Sequence, residues 1–333
     1  MSKNKSRKKG YKNINTAAIV TCFAVILIIS AVIIFNYVLK NDEPNVSDLS
    51  SQNNSLTLSE TSSREQNEPI SEEQSKPLIL EFEKISMDSK QIHRGNLIVV
   101  NNENQYVFEP SESLIKISDE KTANYKMGDL TLTLSKSIMK DLNDMLDALS
   151  KEVSSKSLTI SSGFRTYEQQ NKIYNSAKDK TKTMKPGGSD LHTGLSFSAW
   201  VYPSNEGKIS SGKFAWLDEN CKNYGFIVRY PANKAAITGY DPKNDSSTTY
   251  RYVGNVHAHL ISLNNYCLEE YIEFVKRFSY NNYYTISYNE KDYAIYYCLS
   301  SGDATTISVP KGCKYTISGD NIGGFIVTAE LSQ

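Results

Sequence analysis

The sequence predicts an α+β protein. Helical and β-strand patterns are interspersed along residues 78–333 without the regular strand–helix alternation that a parallel α/β sheet requires. Of the 333 residues, 39% are hydrophobic and 22 are tyrosines, which is enough apolar material for a core and excludes a wholly disordered chain. The 37 basic and 37 acidic residues give a formal net charge of zero. No basic run in the folded region indicates a nucleic-acid partner.

A basic N-terminal tail followed by an uncharged apolar run predicts a membrane anchor. Residues 1–15 contain six lysines and arginines and no acid, and residues 16–39 contain no charged residue. As a helix the apolar run reaches about 36 Å, enough to cross a hydrocarbon core about 30 Å thick. The positive-inside rule places residues 1–15 in the cytoplasm and the main domain outside the cell. The alternative, a cleaved signal peptide, is disfavoured because the run is long and no small-residue cleavage motif follows it.

Residues 40–77 are predicted to be a disordered extracellular linker. They are rich in Ser, Asn, Gln and Glu, and residues 41–75 carry eight acids against the single Arg64. Such a composition buries too little apolar surface to fold. The predicted protein is therefore a single-pass protein of the cell membrane whose outer domain is held away from the bilayer.

The folded region is predicted to begin at residue 78 and to form one domain up to residue 278. Apolar side chains at i, i+3 and i+4 spacing predict helices, and alternating apolar and polar side chains predict strands. Thr166 followed by Gln169 has the pattern of a helix-capping box. In chain order the predicted elements are a strand region at 78–100 with a turn at His93–Asn96 and an apolar strand at Leu97–Val100, a helix from Ser137, a strand at Leu158–Ile160, a helix from Thr166 to about Ala177, a short helix at Phe214–Asn223 and an amphipathic helix through Leu268–Val275.

Residues 279–333 are predicted to form a small C-terminal β module. The texture of the sequence changes after Phe278 to short β-patterned runs that are separated by turn residues. These runs are Tyr283–Tyr288, Tyr293–Leu299, Ile307–Val309, Lys314–Ile317 and Gly324–Ala329.

Four cysteines lie in the predicted outer region, where disulfides persist. Four cysteines allow three pairings, and the sequence does not choose among them. Cys298 and Cys313 lie on adjacent β-patterned runs, which favours a bond between them and leaves Cys221 and Cys267 as the second pair. The spacing includes no CxxC and does not indicate a zinc cluster.

The predicted domain contains four characteristic motifs in a fixed order. They are Ser-Ser-Gly-Phe-Arg-Thr-Tyr-Glu-Gln-Gln at 161–170, Pro-Gly-Gly-Ser-Asp-Leu-His-Thr-Gly-Leu at 186–195, Tyr-Gly-Phe-Ile-Val-Arg-Tyr-Pro at 224–231 with Ile-Thr-Gly-Tyr at 237–240, and Tyr-Arg-Tyr-Val-Gly at 250–254. In this order they resemble the VanY-like D-alanyl-D-alanine carboxypeptidase family, over roughly residues 78–277. The resemblance implies a zinc peptidase fold.

The same resemblance implies a zinc site that this sequence lacks. In the family, two histidines and an aspartate hold zinc, and a glutamate acts as general base on the metal-bound water. The corresponding ligand positions here are Leu191, Ser198 and Thr249, and the base position is Ser246. Leucine has no ligand atom, and neutral hydroxyls are poor zinc ligands. We therefore expect a degenerate member with no zinc cofactor.

A shift of one residue in the alignment is the alternative that would restore zinc. His192 follows the first ligand position and Asp245 precedes the base position, so the two shifts would run in opposite directions. No acid between residues 191 and 205 replaces the lost carboxylate ligand. His257 and His259 follow the last motif and are expected on a solvated helix start.

Four residues are candidates for substrate binding: Arg165, Gln170 and Ser189, which match family positions of the peptide cleft, and His192, which lies beside the first ligand position. The arginine suits substrate binding because its planar fork forms paired, charge-assisted hydrogen bonds. Its alternative role is a structural ion pair at the strand–helix turn. Gln170 and Ser189 could instead be capping or turn residues, and His192 could occupy a variable position.

Three functional hypotheses follow. The favoured one is a catalytically inactive, membrane-anchored homologue that binds a peptidoglycan stem peptide or a cell-wall partner. The second is an active zinc D,D-carboxypeptidase with relocated ligands, for which zinc would be the cofactor. The third is a purely structural protein of the cell envelope. All three share the membrane as a partner through residues 16–39, and none involves nucleic acid.

Overall fold

The computed structural model describes residues 80–110, 113–243 and 245–331. The predicted cytoplasmic tail, membrane span and linker lie outside these residues. Within the described part, no helix is long and apolar enough to cross a membrane.

The described residues form a mixed set of helices and strands in chain order. The strands are β1 (Phe82–Asp88), β2 (Leu114–Lys116), β3 (Lys126–Met127), β4 (Thr133–Ser135), β5 (Leu158–Ser162), β6 (Ser196–Val201), β7 (Phe226–Val228), β8 (Thr248–Tyr252), β9 (Tyr284–Tyr288), β10 (Lys291–Leu299), β11 (Ala304–Pro310), β12 (Lys314–Gly319) and β13 (Gly324–Leu331). The α-helices are α1 (Ile117–Glu120), α2 (Met139–Glu152), α3 (Tyr167–Ser176), α4 (Ala215–Asn220), α5 (Ala235–Thr238), α6 (Asn255–Leu263) and α7 (Leu268–Val275). Short 3-10 helices connect them at Ser89–His93, Lys136–Ile138, Lys180–Lys182, Asp190–Thr193, Ser204–Glu206, Gly212–Phe214, Cys221–Tyr224 and Ala232–Lys234.

A five-stranded sheet forms the centre of the predicted domain. Its strand order is β3-β5-β6-β8-β7, with β3 and β5 parallel and the other neighbours antiparallel. Helix α2 covers one face of this sheet, since its buried side chains recur at helical spacing: Met139, Leu142, Met145, Leu146 and Leu149. This confirms the helix predicted from Ser137, and the mixed α+β fold. A separate two-stranded sheet pairs β2 with β4.

The C-terminal β module contains the five strands that the sequence predicts, together with one strand from the start of the folded region. Strands β9, β10, β12 and β13 form an antiparallel sheet in the order β12-β13-β10-β9. Strand β11 pairs instead with β1, where Phe82 lies opposite Pro310 and Asp88 opposite Ala304. The first strand of the predicted 78–278 domain is therefore hydrogen-bonded to the module.

The apolar run Leu97–Val100 is buried but is not a strand, contrary to the sequence prediction. Its backbone groups bond to side chains and to a loop instead of to a neighbouring strand. The N–H of Leu97 donates to Ser318 Oγ at 2.9 Å, and the N–H of Val99 donates to the carbonyl of Asp320 at 3.0 Å. The run thus connects the module to the central sheet, where two buried arginines donate to the carbonyls of Ile98 and Val100.

The four cysteines of the described region are all free thiols, so the predicted Cys298–Cys313 bond is not formed. The strand register gives the reason. Cys298 lies opposite Phe325, whereas Lys314, which follows Cys313, lies opposite Glu330. Five positions along β13 correspond to about 17 Å at about 3.3 Å per residue. A disulfide requires Cα atoms within about 7 Å of each other. Cys221 and Cys267 are buried as free thiols.

Four charged side chains are buried together beside β7 and β8. The Asp190 carboxylate accepts from Arg229 Nε at 2.9 Å and from Arg251 Nη1 at 2.7 Å, and all three side chains are fully buried. Glu269 of α7 accepts from Arg229 Nη2 at 2.8 Å and Nη1 at 3.1 Å. Burial opposes the charged form of Asp190, but Arg251 and Arg229 outweigh it and hold the pKa of this carboxyl below its usual value.

The same two arginines bond two buried carbonyls of the apolar run and the carbonyl of Asn96, which precedes it. Arg251 Nη2 donates to the carbonyls of Asn96 at 3.1 Å and Ile98 at 3.0 Å, and Arg229 Nη2 donates to that of Val100 at 3.0 Å. Since buried carbonyls need partners, the network replaces the strand pairing that the run lacks.

We predict that Asp190→Asn lowers the free energy of unfolding by about 3–5 kcal/mol, because it leaves Arg251 buried without a counter-charge. Urea denaturation of the purified protein measures this loss. The matched control is Asp144→Asn, which breaks the exposed ion pair with Lys140 and should change stability by less than about 0.5 kcal/mol. Equal stabilities of the two variants would contradict the prediction.

Contrary to the sequence expectation of a solvated helix start, His257 is buried on α6. Its Nδ1 lies 2.6 Å from the hydroxyl of Tyr271, and its Nε2 lies 3.0 Å from Oγ1 of Thr328 on β13. Burial lowers the pKa of His257 to about 4. The neutral ring therefore joins α6 and α7 to the β module.

This shift predicts a loss of stability in mild acid. An unfolded histidine has a pKa of about 6.5. As the pH falls from about 6.5 to about 4, the unfolded chain takes up a proton at His257 that the folded chain does not, so the free energy of unfolding falls by of order 3 kcal/mol. Unfolding measured at several pH values checks this. The slope should become shallower in His257→Gln, and an unchanged slope would contradict the assignment.

Candidate functional site

A turn between β5 and α3 places Arg165 just beyond the C-terminal end of β5. The N–H of Phe164 donates to the carbonyl of Thr133 at 2.7 Å. A side chain at Gly163 would lie 2.5 Å from that same carbonyl oxygen, so only glycine fits there. Thr166 then caps α3 with the predicted capping box. The turn and the cap together fix where the arginine emerges.

Arg165 has no carboxylate within ion-pair distance among the described residues. Its Nη1 donates to Gln170 Oε1 at 2.7 Å, and Gln170 is buried and donates in turn to the carbonyl of Met184 at 2.6 Å. Burial lowers the pKa of Arg165, and the nearby Tyr230 and Tyr240 oppose this shift. The guanidinium stays charged, since arginine keeps its proton in proteins. The structure thus gives no ion-pair role to Arg165 and leaves a half-buried cation beside two tyrosines.

Both ring nitrogens of His192 form hydrogen bonds with backbone groups. Its Nδ1 lies 2.6 Å from the carbonyl oxygen of Arg165, which can only accept, so Nδ1 donates. Its Nε2 accepts from the N–H of Gly187 at 3.1 Å. Burial lowers the pKa of His192, which favours this neutral ring. His192 therefore ties two loops together instead of facing a ligand. Ser189 is buried at the start of the 3-10 helix Asp190–Thr193.

Two of the three family ligand positions lie side by side on β6 and β8. Ser198 and Thr249 are cross-strand neighbours, and their hydroxyl oxygens are 2.8 Å apart. Leu191 is buried, and Ser246 is exposed before β8. Neutral hydroxyls bonded to each other and a leucine do not fit zinc, which requires imidazole, thiolate or carboxylate ligands.

The residues considered for a shifted alignment are already engaged. Asp245 accepts from the hydroxyl of Tyr240 at 2.6 Å, and His192 uses both nitrogens as described above. Across residues 80–331, apart from the few that are not described, no group of three His, Cys, Asp or Glu side chains could hold a metal ion.

A cavity of 630 Å³ lies next to this region, along β7. Tyr230, Tyr240 and Thr249 form part of its wall, and Asp218 lies at another part. Burial raises the pKa of Asp218, whose carboxylate accepts from the hydroxyl of Tyr250 at 2.5 Å. No pattern in the sequence indicates this cavity, because its lining comes from distant segments that only the fold brings together.

Comparison with known proteins supports the relationship that the motifs indicate. The profile of the family described as VanY, D-alanyl-D-alanine carboxypeptidase, matches residues 131–255. A D-alanyl-D-alanine carboxypeptidase of Enterococcus faecium is 32% identical over 249 residues, which are 73% of this chain and 78% of the relative. The putative carboxypeptidase YodJ of Bacillus subtilis (strain 168) is 35% identical over 147 residues, 41% of this chain and 52% of the relative.

A solved structure resembles the fold as well. It is the vancomycin resistance D,D-dipeptidase VanXYg in complex with a D-Ala-D-Ala phosphinate analogue, and it is 25% identical with a TM-score of 0.64. The match covers 75% of this chain and all of that chain. With this fold, the four ordered motifs and the relative from Enterococcus faecium, the chain belongs to the VanY family of D-alanyl-D-alanine carboxypeptidases.

Proposed function

We propose that this chain is a non-hydrolysing member of its family that binds a peptidoglycan stem peptide, or a cell-wall partner presenting a similar peptide end. The observation that carries the proposal is the hydrogen-bonded pair Ser198 and Thr249, with Leu191 at the third ligand position. These side chains satisfy one another or pack in the core. Without metal ligands and with Ser246 at the base position, the site has no group to activate a water.

Arg165 supports the binding part of this proposal. A half-buried guanidinium without an acidic partner is suited to a carboxylate, which it can hold through two parallel hydrogen bonds. The side-chain oxygen of Gln170 accepts a hydrogen bond from one Nη of the guanidinium. A peptide ending in a free α-carboxylate would supply the missing negative charge. The relatives described as D-alanyl-D-alanine carboxypeptidases act on such an end.

Hydrolysis with relocated zinc ligands is the competing proposal. It would require His192 to give up a hydrogen bond at Nε2 and Asp245 to give up Tyr240. It would also require a third ligand. These rearrangements disfavour an active zinc carboxypeptidase, although the chain's relatives carry that name.

The proposal also includes the membrane anchor at residues 16–39. Its support is the absence of charge in this segment and the six basic residues that precede it. An anchor of this orientation would place the peptide-binding domain outside the cell, where peptidoglycan is found. Protease accessibility of the C-terminal module in intact cells tests the orientation, and protection of the module would contradict it.

We predict that Arg165→Ala weakens binding of a stem pentapeptide ending in D-Ala-D-Ala by at least about tenfold, since a charge-assisted hydrogen-bond pair is lost. Isothermal titration calorimetry measures the affinity. Arg277→Ala, at an exposed arginine, is the matched control and should bind as the wild type does.

Amidation of the peptide's C-terminus separates carboxylate recognition from a general effect of the substitution. The amidated peptide should bind the wild type weakly, and Arg165→Ala should weaken it no further. If the amidated and free peptides bind equally well, the carboxylate is not what Arg165 recognises. If neither peptide binds, the purely structural hypothesis gains support.

We predict that the purified protein holds no tightly bound zinc and releases no D-alanine from the pentapeptide. Mass spectrometry of metal content and a D-alanine assay measure the two properties. The combined variant Leu191→His, Ser198→Asp, Ser246→Glu and Thr249→His should bind about one zinc per chain, because it restores a family ligand set. Stoichiometric zinc or D-alanine release in the wild type would overturn the proposal.

A further inference from the structure

Strand β7 lies at the edge of the central sheet and has one unpaired side. The N–H of Arg229 donates to Thr249, and the N–H of Val253 donates to Gly225. In an antiparallel pair, hydrogen-bonded residues alternate with residues whose backbone groups point away. Residues 225, 227 and 229 therefore face β8, and the backbone N–H and C=O of Val228 point outward.

The unpaired edge of β7 borders the 630 Å³ cavity, since Val228 is one of its lining residues. Val228 is half-buried and lines the cavity together with the apolar side chains of Ile209, Phe226 and Ile261. Among the described residues, no hydrogen-bond partner reaches the outward backbone groups of Val228. An unpaired strand edge beside a cavity is the arrangement that accepts an added strand from another chain.

The lining of this cavity contains more basic than acidic side chains. Lys208, Lys222 and Lys243 line it, and none of the three forms an ion pair with a described carboxylate. The two acids in the lining, Asp218 and Asp245, accept hydrogen bonds from tyrosine hydroxyls. Three lysines against two acids, around a lining that also includes apolar side chains, complement acidic side chains that alternate with apolar ones.

We propose that the edge of β7 is a docking site for an extended acidic segment of a partner protein. The segment adds to β7 through the backbone of Val228, places apolar side chains in the cavity and directs its acidic side chains toward Lys208, Lys222 and Lys243. Arg165 does not line this cavity, but Tyr230 and Tyr240, which lie beside Arg165, do. The two proposed sites are therefore neighbours, and the test below separates them by using a peptide without a free carboxylate end.

The test uses a fluorescent peptide of alternating Val and Glu residues, acetylated at its N-terminus and amidated at its C-terminus so that no free carboxylate end reaches Arg165. Fluorescence anisotropy measures its binding to the full-length protein. We expect saturable binding that weakens as salt is added, and much weaker binding of the matched peptide of Val and Lys. Absence of binding, or equal binding of the two peptides, would overturn the proposal.

Val228→Pro tests the backbone contact directly. Proline removes the outward N–H, whereas the ladder to β8 uses residues 227 and 229, so the edge strand can accept the change. Binding of the acidic peptide should fall by about two- to tenfold, the loss expected for roughly one hydrogen bond. Val228→Thr keeps the N–H and the branched shape and should bind as the wild type does.

A change in the peptide gives the same test without altering the fold. Methylation of alternate backbone nitrogens on the peptide blocks strand addition, and it should weaken binding by a similar factor. The combined variant Lys208→Glu, Lys222→Glu and Lys243→Glu should prefer the lysine peptide. Binding that survives both Val228→Pro and methylation, or a preference that the triple variant does not reverse, would show that the peptide does not add to β7.

Discussion

The structure depends on the pairing of Asp190 with two buried arginines. One carboxylate oxygen accepts from both Arg229 and Arg251, and Glu269 supplies the second negative charge. Ions taken out of water are stabilised only when they are paired and their remaining donors are used. Here the spare donors reach the carbonyls of the run that ends at Val100. A single cluster therefore joins the 3-10 helix Asp190–Thr193, the edge of the central sheet, α7 and the segment that leads to the β module.

This cluster also holds the backbone around the positions that correspond to the family's metal ligands. Asp190 is adjacent to Leu191, and Arg251 lies two residues after Thr249 on the same face of β8. Ser196, two residues before Ser198, bonds to the Asp190 carboxylate. Each of these positions is thus held by a neighbour in the charge network.

The sequence predicted the elements whose signal is local. Periodicity identified α2, and the Thr166–Gln169 pair identified the start of α3. It failed where long-range contacts decide the outcome. Leu97–Val100 has the composition of a strand, but arginines about 130 and 153 residues away in sequence take its carbonyls. The positions of Cys298 and Cys313 likewise suggested a disulfide, but the register of their strands against β13 holds the two cysteines apart.

The site shows the same division between local and distant information. The order of the motifs located Arg165 and the positions that correspond to the family's ligands, because matching a motif assigns each residue separately. The motifs could not show that both ring nitrogens of His192 are hydrogen-bonded to backbone groups, or that Arg165 has no carboxylate partner among the described residues, because both facts depend on packing. A chain of zero net charge can still attract acidic groups, since a cation is neutralised only by the acids that lie close to it. Buried arginines are neutralised within the core, whereas Arg165 and the lysines along β7 are not. Under the function proposed above, recognition of a carboxylate rests on these uncompensated cations and needs none of the groups that hydrolysis requires.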